Sequence, residues 1–108
     1  FKPKKFSGPW NFGTEKNTVT SVKKIALYIL KLWGGGNLKI KNKQSYYEQT
    51  NLQLNIEKSK KILKWKPKFT IYKSVKITVE WYKQVLIYKT DPETITKNQI
   101  TDYMNEIK

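Results

Sequence analysis

Cysteine, histidine and arginine are absent from these 108 residues. Without cysteine there is no disulfide framework, no thiolate metal site and no thiol nucleophile. Without histidine the commonest general base and metal ligand is gone, and with it any Ser/His/Asp constellation. Without arginine, all 22 basic residues are lysine, point charges that lack the planar fork used to read phosphate and guanine bidentately. Carboxylates are scarce, eight in all, and Glu48 and Glu57 are the two in the central stretch. Long apolar runs are lacking too. The longest, Ile25 to Leu30, is too short to span a bilayer, and no cationic-then-apolar leader opens the chain. A cytoplasmic protein without a membrane partner is expected. The first residue is Phe1 and not methionine, so a processed end or part of a longer protein is expected as well.

What is present bounds one domain with a modest core: hydrophobic residues make up 38% and aromatics 14%. The formal charge is +14. Such a balance attracts nucleic acid, anionic surfaces or acidic partners. The lysines are spread along the whole chain, however, and occur beside abundant asparagine and isoleucine. An AT-rich coding sequence writes that composition onto any solvated surface. A small basic module binding nucleic acid or anionic surfaces is therefore the alternative reading, and nucleic acid is the weaker partner.

The organising stretch runs from Tyr47 to Pro67. Leu52 and Leu54 alternate with polar residues as in a strand, and Asn55 offers a capping acceptor. Ile56, Lys60 and Leu63 share a helical face, and Trp65 and Pro67 end the helix. Before it, Pro9 to Gly13 has the look of a short aromatic strand closed by glycine. Thr18 can cap a helix from Val19, whose stripe is Val22, Ala26, Ile29, Leu30 and Trp33. Gly34-Gly35-Gly36 ends it as a turn; a phosphate cradle should precede a helix, not follow one. Leu38 to Ile40 alternates as a strand. After Pro67, Thr70 can cap a long helix with a stripe of Ile71, Val75, Val79, Tyr82 and Leu86. Asp91-Pro92 breaks it. Thr96 and Gln99 fit a capping box for a last short helix carrying Ile100, Tyr103 and Ile107. The sum is an α+β unit with two or three short strands and about four helices.

Catalytic motifs are nearly missing. Tyr72 and Lys76 form a Tyr-x-x-x-Lys pair, whose lysine could lower the tyrosine pKa across one helix turn. Seven tyrosines among 22 lysines in 108 residues give about 1.4 such pairs by composition alone, and no nucleotide fold lies upstream. Trp10, Trp33, Trp65 and Trp81 could stack on bases, but each sits beside an apolar stripe or a turn, where packing is the better use of a large ring.

Several segments, in order, resemble one family. Ser7-Gly8-Pro9-Trp10-Asn11-Phe12-Gly13 resembles the G-x-x-W-N-F-G-P segment of CDP-glucose 4,6-dehydratases, in the extended short-chain dehydrogenase/reductase superfamily. Val19-Thr20-Ser21-Val22 and Trp33-Gly34-Gly35-Gly36 are similar to its V-x-x-V helix and W-G-x-G end. Tyr47 to Pro67 is similar, without a gap, to H-E-A-x-Y-L-x-L-D-x-S-K-A-x-x-x-L-G-W-x-P. Thr78-Val79-Glu80-Trp81-Tyr82 matches T-V-x-W-Y, and Thr96, Gln99, Ile100 and Tyr103 match T-x-x-Q-I-x-x-Y. The resemblance implies that residues 1–108 are a single partial domain, the carboxy-terminal substrate-binding portion of such an enzyme. It implies NAD as the parent's cofactor, held by an amino-terminal Rossmann half that carries the chemical groups and is not in this sequence. It implies a nucleotide sugar as substrate, with Tyr47 and Glu48 nearest to it, and no activity or bound cofactor for this chain alone. Faces meant for the other half would then be bare and could drive self-association. Tyr47 stands in place of the histidine, Thr14 of a proline, Asn51 of a tyrosine and Lys64 of the glycine in L-G-W. Lysine in a left-handed glycine position would cost on the order of 1 kcal/mol.

Overall fold

The computed structural model of the protein describes residues 3–15, 20–40 and 53–107. Five helices lie in them: α1 (Pro3–Phe6), α2 (Val22–Trp33), α3 (Glu57–Ile62), α4 (Ile71–Leu86) and α5 (Pro92–Glu106). The chain divides into two compact units, one of Phe1–Val19 with Ser45–Pro67, the other of Thr20–Gln44 with Lys68–Lys108.

In the first unit the expected α+β character is corrected: no strand occurs among the described residues. The segment after α1 does not join a ladder because side chains take its carbonyls. Trp10 Nε1 donates to Phe6 O at 2.9 Å, Lys58 Nζ to Pro9 O at 3.0 Å, and Ser59 Oγ to Asn11 O at 2.5 Å. Asn11 Nδ2 in turn donates to Asn55 O at 3.3 Å. Pro9 O and Asn11 O thus find partners in α3 side chains and not in a neighbouring strand. Of the expected Leu52–Leu54 strand, Gln53 and Leu54 are irregular backbone. Leu52 lies outside the described residues, and Gln53 donates its Nε2 to Glu15 O at 2.9 Å.

Helix α3 forms where its asparagine indicated, with Asn55 Oδ1 accepting from Glu57 N at 3.0 Å. Its inward side carries the fully buried Ser59 and the 2%-exposed Ile56. The backbone at Gly13 comes so close that a Cβ there would lie 3.4 Å from Ile56 Cγ2. Lys60 is half-buried and bonds Glu15 at 3.0 Å with Glu57 3.8 Å away. The hydrogen bond to Glu15, then the two carboxylate charges, raise its ammonium pKa against the loss of water. The helix ends at a left-handed residue, Lys64 at φ 56, after which Trp65 N returns to Ser59 O at 3.3 Å. Trp65 then sets its ring edge-on to Phe12, centroids 5.0 Å apart.

The second unit packs α2 and α5 against α4. Ser21, not Thr18, caps α2: its side chain accepts from Lys24 N at 3.2 Å. Thr18 lies outside the described residues. Gly34 ends α2 at φ 97, with Gly34 N and Gly35 N both bonded to Leu30 O. Leu38–Ile40, expected as a strand, is irregular backbone with Ile40 60% exposed. Thr70 caps α4 by accepting from Lys73 N at 3.2 Å. Along the α4 stripe Val79 is buried, whereas Tyr82 and Leu86 are exposed.

The last helix is the other correction. It does not begin at a Thr96 capping box but five residues earlier, at Asp91, with Pro92 in its first turn. Proline is pre-set for that position and aspartate for the cap, so the dipeptide that breaks α4 also starts α5. Thr96 and Gln99 are then interior residues, and both turn to α4. Thr96 Oγ1 accepts from Trp81 Nε1 at 2.9 Å, and Gln99 Nε2 donates to Ile77 O at 3.0 Å.

Three substitutions test the local structure. Lys64 and Lys89 both stand at φ 56, strained by about 1 kcal/mol beyond what glycine would feel. Glycine also loosens the unfolded chain, so Lys64→Gly and Lys89→Gly are each expected to stabilise by about 0.5 kcal/mol, read as a higher urea midpoint. Ser59→Ala removes the donor to Asn11 O and is expected to cost about 1–2 kcal/mol in the same titration.

Candidate functional site

The phase of α5 against α4 creates a groove of about 690 Å³ in the second unit. Its α4 wall is Lys73, Lys76, Ile77 and Glu80, and its α5 wall includes Asn98, Asp102 and Glu106. Spacings of three and four put each set on one helical face. The floor between them is apolar, from Ile77 and Ile95.

Aromatic rings close one end. Phe69, just before α4, meets Tyr103 of α5 edge-on, with centroids 5.0 Å apart. Lys73 Nζ lies 4.3 Å from the Phe69 centroid and bonds both Glu106 oxygens, at 2.5 and 2.6 Å. Both partners are over 40% exposed, so the ion pair stabilises by about 1 kcal/mol at most; its use is to fix the groove's end. Glu80 accepts from Gln84 Nε2 at 2.9 Å.

The arrangement suits binding. Ring faces can stack on an apolar or sugar surface, and Asn98 and Asp102 can exchange hydrogen bonds with hydroxyls. Chemistry would need a nucleophile held on a base, and the groove has none among the described residues. Tyr72 does not supply one. Its hydroxyl lies 3.4 Å from Thr20 Oγ1 and its ring is edge-on to Tyr28 at 5.1 Å, while Lys76 faces the groove.

Tyr47 and Glu48, the substrate-binding residues expected from the sequence, lie outside the described residues. The groove itself escaped the sequence reading. Its signal was the recurrence of Asn98, Asp102 and Glu106 at steps of four, a polar face that lies within the expected last helix as well as in α5. The tryptophans divide as well. Trp10, Trp65 and Trp81 are partly buried and pack or hydrogen-bond within their units, with Lys58 Nζ 4.4 Å from the Trp10 ring centre. Trp33 is exposed.

NAD does not fit the residues described. A dinucleotide needs free backbone N–H groups at the start of a helix. The one glycine run, Gly34–Gly36, follows a helix, and the N–H groups of Gly34 and Gly35 are spent on Leu30 O. Among the described residues there is also no group of histidine, cysteine, aspartate or glutamate able to hold a metal ion, and no helix is long and apolar enough to cross a membrane. No family model, no curated protein and no solved structure matches the chain.

Because Asp91 sets where α5 begins, it also sets the groove wall. Its carboxylate accepts from Thr94 N and Thr94 Oγ1, both at 2.8 Å. Those bonds, the backbone one foremost, hold its pKa below the ordinary carboxylate value. A lowered folded pKa contributes stability that is complete above the unfolded value, about 3.9, and is lost as pH falls through the folded value. Helicity followed by circular dichroism is expected to drop over that acid range in the native chain. In Asp91→Asn, which keeps an acceptor without the titration, the drop is expected to be smaller.

Proposed function

We propose that this chain supplies substrate-side scaffold of an NAD-dependent nucleotide-sugar 4,6-dehydratase of the CDP-glucose type, and is inactive without a nucleotide-binding half. One observation carries the reading. The two segments of the first unit that most resemble that family dock on each other through the matching residues. Lys58 reaches Pro9 O and covers Trp10, Trp65 meets Phe12, and Asn11 bonds the backbone of Asn55. Chance likeness in two distant stretches has no reason to make them partners.

The second unit supports it likewise. Trp81 of the T-V-x-W-Y stretch bonds Thr96 of the T-x-x-Q-I-x-x-Y stretch, Gln99 bonds α4, and Tyr103 closes the groove. Lys64, in place of the glycine in L-G-W, takes the left-handed backbone that glycine favours. The roles of these residues are structural, which is why the chain serves as scaffold and leaves proton and hydride transfer to another part.

The test is complementation. The chain is mixed with a separately produced nucleotide-binding half of a CDP-glucose 4,6-dehydratase, NAD and CDP-glucose, and mass spectrometry follows loss of water from the sugar. Dehydration is expected in the mixture and in neither component alone. Turnover by this chain alone, or a mixture no better than the nucleotide-binding half by itself, would overturn the proposal.

A further inference from the structure

Charge is laid out in levels along the groove between α4 and α5. Two ties fix the register: Gln99 Nε2 donates to Ile77 O at 3.0 Å, and Lys73 pairs with Glu106. The two helices therefore run antiparallel. Lys76 of α4 and Asp102 of α5 fall at one level, and Glu80 and Asn98 at the next, one helical turn along. At the aromatic end Lys73 and Glu106 neutralise each other. Lys76 and Asp102 form no such pair, and no side-chain hydrogen bond to another described residue engages either of them or Asn98. Gln84 holds Glu80 Oε1 at 2.9 Å, which leaves Oε2 to the groove. One ammonium thus stands with two carboxylates, a local excess of acid in a chain of formal charge +14.

We propose that this groove is a binding site for a free basic amino acid of the length of lysine or ornithine. The α-carboxylate of the ligand faces Lys76 on one wall, and its α-ammonium faces Asp102 on the other. Its side chain runs along the apolar floor of Ile77 and Ile95 for about 5.4 Å, one turn of helix. There the cation meets Glu80 and the amide oxygen of Asn98. Charge selects this class of ligand. An anion meets two carboxylates, and a simple amine leaves Lys76 uncovered. A neutral sugar strips water from three charged groups and supplies no counter-charge. A zwitterion with one further cation answers each of the three. The end of the groove already holds such a group, for the Lys73 ammonium lies 4.3 Å from the Phe69 ring centre and bonds both Glu106 oxygens. At about 690 Å³ the groove is also of the size of small-molecule sites, roughly 300–1,000 Å³. The site is separate from the dehydratase reading, and neither depends on the other.

The experiment is calorimetric titration of the full chain with L-lysine, beside norleucine, which lacks the side-chain cation, and cadaverine, which lacks the carboxylate. Lysine is expected to bind one to one, and each of the other two about fivefold or more weaker. Asp102→Asn, Glu80→Gln and Lys76→Gln are each expected to weaken lysine binding about fivefold. All three positions are exposed, so circular dichroism is expected to stay unchanged. Glu80→Gln is expected to bring lysine close to norleucine, because it removes the partner of the side-chain cation. Four results would overturn the proposal. The first is no heat with lysine at about 10 mM, a concentration that detects even millimolar affinity. The second is norleucine binding as well as lysine, which marks a merely apolar groove. The third is cadaverine binding as well as lysine, which marks a simple cation site. The last is lysine binding that Asp102→Asn and Lys76→Gln leave unchanged, which puts the ligand elsewhere on the chain.

Discussion

A hydroxyl buried under a helix decides the character of the first unit. Ser59 Oγ takes Asn11 O at 2.5 Å from a fully buried position, and Lys58 takes Pro9 O one residue earlier on α3. Backbone that gives its carbonyls to side chains has no need of a strand partner, and the alternation of the sequence has nothing to line up against. The α3 helix therefore replaces a sheet as the binder of the irregular segment. Its own ends are settled locally, by Asn55 at the start and the left-handed Lys64 at the finish. The cost of that strained lysine is accepted because Trp65 can then swing to Phe12, a contact of about 0.5–1.5 kcal/mol beyond its buried area.

Scarce carboxylates organise the second unit in a comparable way. Asp91 caps α5, Glu106 holds Lys73, Glu93 pairs with Lys97 one turn on, and Glu80 takes Gln84. All four lie on α4, on α5 or at the turn between them. Residues 20–40 contain no carboxylate of their own. An excess of lysine spread evenly through a sequence is thus offset chiefly along α4 and α5.

Helices that advertise both a cap and a long stripe were legible. Thr70 with Ile71, Val75 and Val79 located α4, and Trp33 with three glycines located the end of α2. Short alternations were not. Pro9 to Gly13 and Leu38 to Ile40 span too few residues for period two to mean more than chance, and a strand also needs a partner that only the fold can supply. Asp91-Pro92 shows a different failure. It was read as a stop because it breaks α4, yet the same two residues are a strong start, and choosing Thr96 in their place left out the first turn of α5. The groove went unseen because it needs α5 laid against α4, a pairing that only the fold supplies.

Lys64 shows how packing can hold a residue in a conformation it disfavours. A position that demands φ > 0 is a property of the backbone path, not of the side chain found there. Lys64 meets that demand at a cost, and does so directly before the tryptophan that docks on Phe12. The turn persists because Ser59 O still receives Trp65 N and the Trp65 ring still has its seat. Contacts made across the unit hold a backbone shape that the residue itself disfavours.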